Sequence, residues 1–427
     1  PMDLGSLNVI SAGCPAQPEL SMKLPSTLRD MLDGLGERAA TSFAVRLPDG
    51  TAFHVGDANP AFTVVFHTDA ALFSTATRGH MGLMEAYFDQ TVDVEGDFGA
   101  ALAAGMASGF DRKSGAVNGM ENELLELRHS NRDPAKAKRN ARAHYGLGTD
   151  FYRLWLDEPL LMYTCGYWPA GTETLEQAQR NKIDHVCRKI RLQRDDSFVD
   201  IGCGFGGFMF RAHETTGASG VGVNTTTEQV VWLRDEITRR GLADALSVRE
   251  ADFREVDQQY DKVVSIGTLE HAGRDQLPEV IRAHAAFLKP GGIGILHFIG
   301  HVGHYETELF IRKHVFPGGW IPSLADVIVE MERNGLEVLD IENLRRHYAP
   351  TLDAWAERFE QRWPAVHELD PDRFDERFRR VWRTYLTGCA EMFRSPGGYT
   401  HLFQIVFSKG NVTANSYPMG REHVYER

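Results

Sequence analysis

Four glycines set closely together after an apolar run carry the first chemical signal in this chain. Residues 198 to 208 read FVDIGCGFGGF, a buried strand that ends in a turn containing Gly202, Gly204, Gly206 and Gly207. Without Cβ atoms such a turn bends tightly and lets main-chain amides approach a ligand, as a nucleotide-like cofactor site requires. Alone, a Gly-x-Gly-x-Gly run describes a ligand-free strand-to-helix turn equally well, so its neighbours must decide. In an open α/β sheet the ligand lies beyond the carboxyl ends of the strands. Here those ends carry Asn224 to Gln229, Asp252-Phe253 and Thr268-Leu269-Glu270. A dinucleotide site wants Gly-x-Gly-x-x-Gly and an acidic residue closing the second strand, and neither fits cleanly. Asp252 followed by Phe253 suits an adenine instead, the carboxylate accepting from the exocyclic amine and the ring stacking on the base.

The elements that must position these residues are readable around them. Strand and helix patterns alternate through 219–224, 229–240, 246–252, 262–267, 278–288 and 292–300, the succession of a doubly wound parallel sheet. Upstream, an amphipathic helix from Pro25, a hairpin about Pro48-Asp49-Gly50, the strand FTVVF and a helix over 69–78 predict a small α+β unit that ends near Phe110. Residues 1–24 read as a poorly ordered tail, 25–110 as the small domain, 111–142 as a linker and 143–427 as the larger domain. The linker carries Arg128, Arg132, Lys136, Lys138, Arg139 and Arg142 against Asp133. This is either a solvated face or a patch for anionic lipid headgroups, worth about 1 kcal/mol per cation near the surface. The segment FDERFRRVWRTYLTGCAEMF predicts a core helix with solvated arginines.

Composition bounds the rest. A chain of 427 residues, 42% apolar and 25% charged, is ordinary for a globular protein of two or three domains. A net charge of −13 argues against nucleic acid as the main partner. The five cysteines show neither metal-ligand spacing nor a disulfide framework, which predicts no metal site and a reducing cytoplasm. No run approaches the ~20 apolar residues of a membrane span, so a soluble or surface-bound protein is expected.

Six ordered motifs carry a resemblance. They are the aromatic segment 144–168 ending in YTCGYW, VDIGCGFGG, VVSIGTLEHAG, LHFIG, VFPGGWIPS and HYAPTLDAWAERF. Over residues 140 to 410 the chain resembles the cyclopropane fatty acid synthase family, including the mycolic acid cyclopropane synthases, among the class I S-adenosylmethionine-dependent methyltransferases. The resemblance implies a Rossmann-like catalytic domain that transfers a methyl from S-adenosylmethionine to the double bond of an unsaturated acyl chain of a phospholipid, at the cytoplasmic face of a membrane. It implies a cation whose proton is lost to a bound bicarbonate ion, closing a cyclopropane. The ligands of that ion carry over as Cys165, Glu270, His297, Ile299 through its backbone, and Tyr348. The cofactor residues carry over as Tyr163, Thr164, Gly202, Gly204, Asn224, Thr225 and Gln229, with Phe253 against the adenine. The rings of Tyr163, Tyr167, Trp168 or Phe208 would steady the cation by ~0.5–2 kcal/mol each, although any one of them alone reads sooner as core and only the cluster argues otherwise. The first domain resembles, less closely, an acyl-chain or membrane-recognition domain, and a homodimer is implied. Three positions depart from the pattern: Asn224 in place of an acidic ribose ligand, Ala272 in place of a bulkier residue, and the histidine-rich HVGHYE at 301–306. Two alternatives stay open: a hydride shift giving an exomethylene or methyl-branched chain, and a non-catalytic lipid-binding protein.

Overall fold

The computed structural model describes residues 26–57, 59–109, 116–131, 133–255 and 257–425. The segment 1–24, read as a tail, lies outside them. Strands β1 (Phe43–Arg46), β2 (Ala52–Val55), β3 (Phe62–Phe66) and β4 (Val92–Gly96) form a four-stranded sheet in the order β2-β1-β3-β4. The β1–β2 turn forms as the sequence predicts, with Gly50 at φ 85° and Asp49 Oδ1 accepting from the Thr51 amide at 2.9 Å. Helices Asp69–Arg78, His80–Phe88 and Phe98–Ala107 complete this unit, the first and third capped by Thr68 and Asp97 side chains.

The second sheet holds β5 (Ser197–Ile201), β6 (Ser219–Asn224), β7 (Leu246–Glu250), β8 (Tyr260–Ile266), β9 (Leu288–Gly300), β10 (Leu336–Asn343) and β11 (His401–Lys409). Its order is β10-β11-β9-β8-β5-β6-β7. The five strands from β9 to β7 are parallel, as expected, but β11 runs antiparallel to both β9 and β10. The five strands read from the sequence are thus parallel, and β10 and β11 extend the sheet at one edge with antiparallel pairs. Strand β11 is buried from Leu402 to Ser408, polar Gln404 and Ser408 included, so no period-2 alternation announces it.

The stretch read as a linker is mostly helical, over Ala116–Arg128 and Pro134–Tyr145. The first of these helices is pinned to the large unit, where Asn122 accepts from Arg312 Nη1 at 2.6 Å and donates to the Thr307 carbonyl at 2.9 Å. Of the basic stripe, Lys138 pairs with Glu250 at 2.5 Å, Arg128, Lys136 and Arg139 are exposed, and Arg132 lies outside the described residues.

The arginines of the Glu376–Arg394 helix are not simply solvated; they fasten the small unit to the large one. Arg380 pairs with Asp93 at 2.7 Å and donates to the carbonyls of Tyr87 and Val92. Glu85 receives Lys313, His314 and Arg377 at 2.9, 2.9 and 3.0 Å. Burial raises the pKa of Glu85, but the hydrogen bonds from His314 and Lys313 outweigh it and hold the group well below the carboxylate range. Its stabilisation is therefore present above about pH 4.5 and is lost as the pH falls. Replacing Glu85 by Gln is expected to cost about 2 kcal/mol at pH 7 and progressively less as the pH falls below about 4.5, read as the thermal midpoint along a pH series.

No helix among the described residues is long and apolar enough to cross a membrane.

Candidate active site

At the carboxyl ends of β5, β6 and β8 the glycine turn opens a cavity of about 840 Å³. Gly202 has φ 77°, and a Cβ there would stand 2.3 Å from Thr268 Oγ1, which is itself held on the Ile201 carbonyl at 2.9 Å. Only glycine fits. Gly204, at φ 54°, is different: a Cβ would meet nothing within 4 Å, because that side of the turn faces open space. A cradle of this kind admits a ligand against bare backbone.

The cavity wall contains Tyr163, Thr164, Gly202, Gly204, Asn224, Thr225 and Gln229, all expected from the sequence. It does not contain Asp252 or Phe253. Asp252 is held by its near neighbour instead, Oδ1 accepting from Arg254 Nε at 2.6 Å and Oδ2 from Nη2 at 2.8 Å. Phe253 packs at the edge of another apolar cluster. Asn224 reaches the wall with its amide committed: Nδ2 donates to Gln229 Oε1 at 2.8 Å and Oδ1 accepts from the Thr226 amide at 3.0 Å. It shapes the loop.

A second cavity of about 1050 Å³ is lined by Glu270, Ile299 and Tyr348 among largely apolar and aromatic groups. The two cavities share Tyr145, Tyr163, Thr164, Gly267 and His271. They meet there. Glu270 Oε1 accepts from the Ile299 amide at 2.6 Å, while buried Oε2 has no protein partner. Burial raises this carboxyl to about 7, the Ile299 amide opposing.

His297 and Cys165 lie outside both walls. The tautomer of His297 follows from a chain of donors. Lys189 Nζ donates to Gln404 Oε1 at 2.8 Å, which turns Gln404 Nε2 toward His297 Nδ1 at 2.9 Å. Nδ1 must accept, so the ring proton sits on Nε2, a buried donor with no partner. Burial keeps the ring neutral. Cys165 is a thiol, pushed up to about 12 by burial, and it donates to the Gly166 carbonyl at 3.1 Å. Of the expected rings, Tyr163 is on both walls and Phe208 on the first. Tyr167 instead stacks on His185 with centroids 4.3 Å apart, and Trp168 Nε1 donates to Thr351.

Sequence reasoning missed Tyr145 and His271, whose side chains meet at 2.6 Å on the shared wall. Burial pushes the phenol up and the imidazole down to about 4, so both are neutral at pH 7. His271 follows Glu270 in the LEHAG motif and was visible, but nothing in the spacing joins it to a tyrosine 126 positions away. Tyr385 is a third omission: its hydroxyl lies 3.0 Å from that of Tyr163.

A doubly wound sheet with a glycine turn, and two cavities meeting beyond its strand ends, is the architecture of a class I methyltransferase. The mycolic acid cyclopropane synthase CmaA1, solved in complex with SAH and CTAB, has the same fold, with TM-score 0.59 and 31% identity over 64% of this chain and 98% of that one. The family model of mycolic acid cyclopropane synthetase matches residues 132–405, and the chain belongs to that family. It is 33% identical to a probable fatty acid methyltransferase of Pseudomonas putida over 89% of this chain and 95% of the relative. It is 34% identical to the cyclopropane-fatty-acyl-phospholipid synthase of Escherichia coli over 63% of this chain and 67% of the relative.

Proposed function

We propose that this protein transfers a methyl group from S-adenosylmethionine to the double bond of an unsaturated acyl chain, with proton loss closing a cyclopropane. The observation that carries the reading is the shared wall, where a glycine-cradled cavity opens onto an apolar one with a buried carboxyl. An isolated alkene is a weak nucleophile, so reaction needs the donor in line with the double bond and water excluded. Tyr163, Thr164, Gly202, Gly204 and Gln229 would hold the cofactor, and Glu270, His297 and Tyr348 the bicarbonate; when bound, the first supplies an electrophilic methyl and the second a base. The protein groups fit a small hydroxyl-bearing anion. Glu270 Oε2 is an open acceptor, and the Tyr348 hydroxyl on the same cavity wall makes no hydrogen bond among the described residues; His297 Nε2–H is a donor without a partner but lies outside that wall. Cys165 and the Ile299 amide fit less well, each already committed. Tyr145, Tyr163 and Phe316 line the reaction cavity, and aromatic rings there suit a developing cation.

Phospholipid at a membrane surface is the acceptor we favour. A groove bordered by Met84, Leu102 and Met106 of the small unit shares Tyr385, Cys389 and Met392 with the reaction cavity, giving an acyl chain a path inward. On the Ala116–Arg128 helix Val117, Met120, Leu124 and Leu127 are 58–74% exposed at helical spacing, an apolar face suited to headgroups and acyl chains.

The name of the Pseudomonas putida relative favours a second reading, methylation followed by a hydride shift. Incubating purified protein with cis-monounsaturated phospholipid vesicles and labelled S-adenosylmethionine separates the two. Upfield cyclopropane protons in the product are expected; a product whose added carbon takes up hydrogen under mild catalytic reduction supports the second. Vesicles bound without label transfer would leave only lipid binding.

A further inference from the structure

Two lysines of the Leu175–Lys189 helix are fully buried, and their environments differ. Lys189 is ion-paired, with Glu342 at 2.5 Å, and also donates to Gln404 at 2.8 Å. Lys182 is not. Its ammonium donates to Thr164 Oγ1 at 2.6 Å, and no carboxylate of the described residues comes within 4.0 Å of it. A buried cation without an ion pair is costly and looks for an anion.

The surroundings say where that anion would lie. Thr164 is on the shared wall, so Lys182 stands directly behind the place where the two cavities meet. Because a lysine only donates, Thr164 Oγ1 accepts from it, and the hydroxyl proton has no protein acceptor among the described residues. The helix is built to hold this segment still. One turn earlier Gln179 donates to the carbonyls of Met162 and Thr164, at 3.3 and 2.8 Å, and Asp157 Oδ1 accepts from the Met162 amide at 2.8 Å. Asp157 and Asp200 are the nearest opposing charges, and burial raises both to about 7, so they compensate the lysine incompletely.

S-Adenosylmethionine carries a single carboxylate, on the amino-acid arm a few bonds from the transferred methyl. We propose that Lys182 is a positioning residue for that arm: through Thr164, whose hydroxyl it polarises, it anchors the cofactor carboxylate and so sets the sulfonium at the junction of the cavities. The inference rests on the cofactor assignment proposed above.

Calorimetric titration of S-adenosylmethionine and its decarboxylated analogue into wild type, Lys182→Met and Lys182→Gln tests it. Methionine conserves volume in a buried site, and glutamine keeps a donor toward Thr164. Loss of a charge-assisted contact is expected to weaken S-adenosylmethionine about 10- to 100-fold in Lys182→Met and less in Lys182→Gln. The decarboxylated analogue should change by less than about threefold, since it lacks the group being held. Equal losses for both ligands, or no loss for either, would overturn the role of Lys182, the first by showing a merely structural part. Wild type that binds neither ligand would overturn the cofactor reading itself.

Discussion

Glu270→Gln is expected to lower turnover by about 100-fold or more while changing cofactor affinity by less than about threefold. Glutamine keeps an oxygen for the Ile299 amide, so the fold around the 2.6 Å contact survives. What changes is the second oxygen, now an NH₂ that donates where the carboxylate would accept from the hydroxyl of a bound oxyanion. The variant should also lose a pH signature. Glu270 is raised to about 7 in the folded protein against 4.5 unperturbed. A raised carboxyl stabilises the fold fully below about pH 4.5, and that contribution is lost as the pH climbs through 7. The difference is on the order of 1–3 kcal/mol. Thermal midpoints of wild type should therefore fall between pH 4.5 and 8 more steeply than those of Glu270→Gln. Wild-type turnover should gain an acid limb near pH 7 as the carboxylate forms. Unchanged turnover in the variant would remove Glu270 from the reaction.

Gly202→Ala should abolish measurable cofactor binding, a weakening of about 100-fold or more, and cost about 2–4 kcal/mol of stability. Two effects add. Alanine at φ 77° is strained, and its Cβ would stand 2.3 Å from Thr268 Oγ1, displacing the hydroxyl that ties β8 to β5 through the Ile201 carbonyl. Thr268→Ala in the same chain should restore part of the stability and little of the binding. Gly204→Ala makes the informative contrast. Its Cβ enters open space, so stability should fall by only about 1 kcal/mol while cofactor binding is still impaired. Thermal melts and calorimetry on the three variants separate packing from ligand approach.

Much of this fold is legible in the sequence. Each βα unit of the large sheet is specified within some 30 residues, so periodicity places β5, β6, β8 and β9 to within a few positions. The turn of Gly202 and Gly204 is likewise local. The helices within 111–142 are harder to read, because Pro134–Tyr145 presents few apolar positions and Ala116–Arg128 turns its apolar positions outward and is held by distant partners, such as Arg312 on Asn122. Strand β11 escaped because its uniform burial depends on β9 and β10, which come from elsewhere in the chain. Asp252 followed by Phe253 fitted an adenine by residue type, yet Arg254, the very next residue, takes the carboxylate.

The sequence by itself determined the glycine turn and the family motifs in which Glu270, His297 and Tyr348 stand, because backbone conformation at a glycine turn and residue type at a motif are local properties. Only the tertiary structure decided which of them face a common space. Hydrogen bonds across 15 to 215 positions leave Glu270 Oε2 and His297 Nε2 open, pair Tyr145 with His271, and set Lys182 behind Thr164. Burial shifts protonation only once distant elements exclude water, and no spacing in a single chain records which elements those will be.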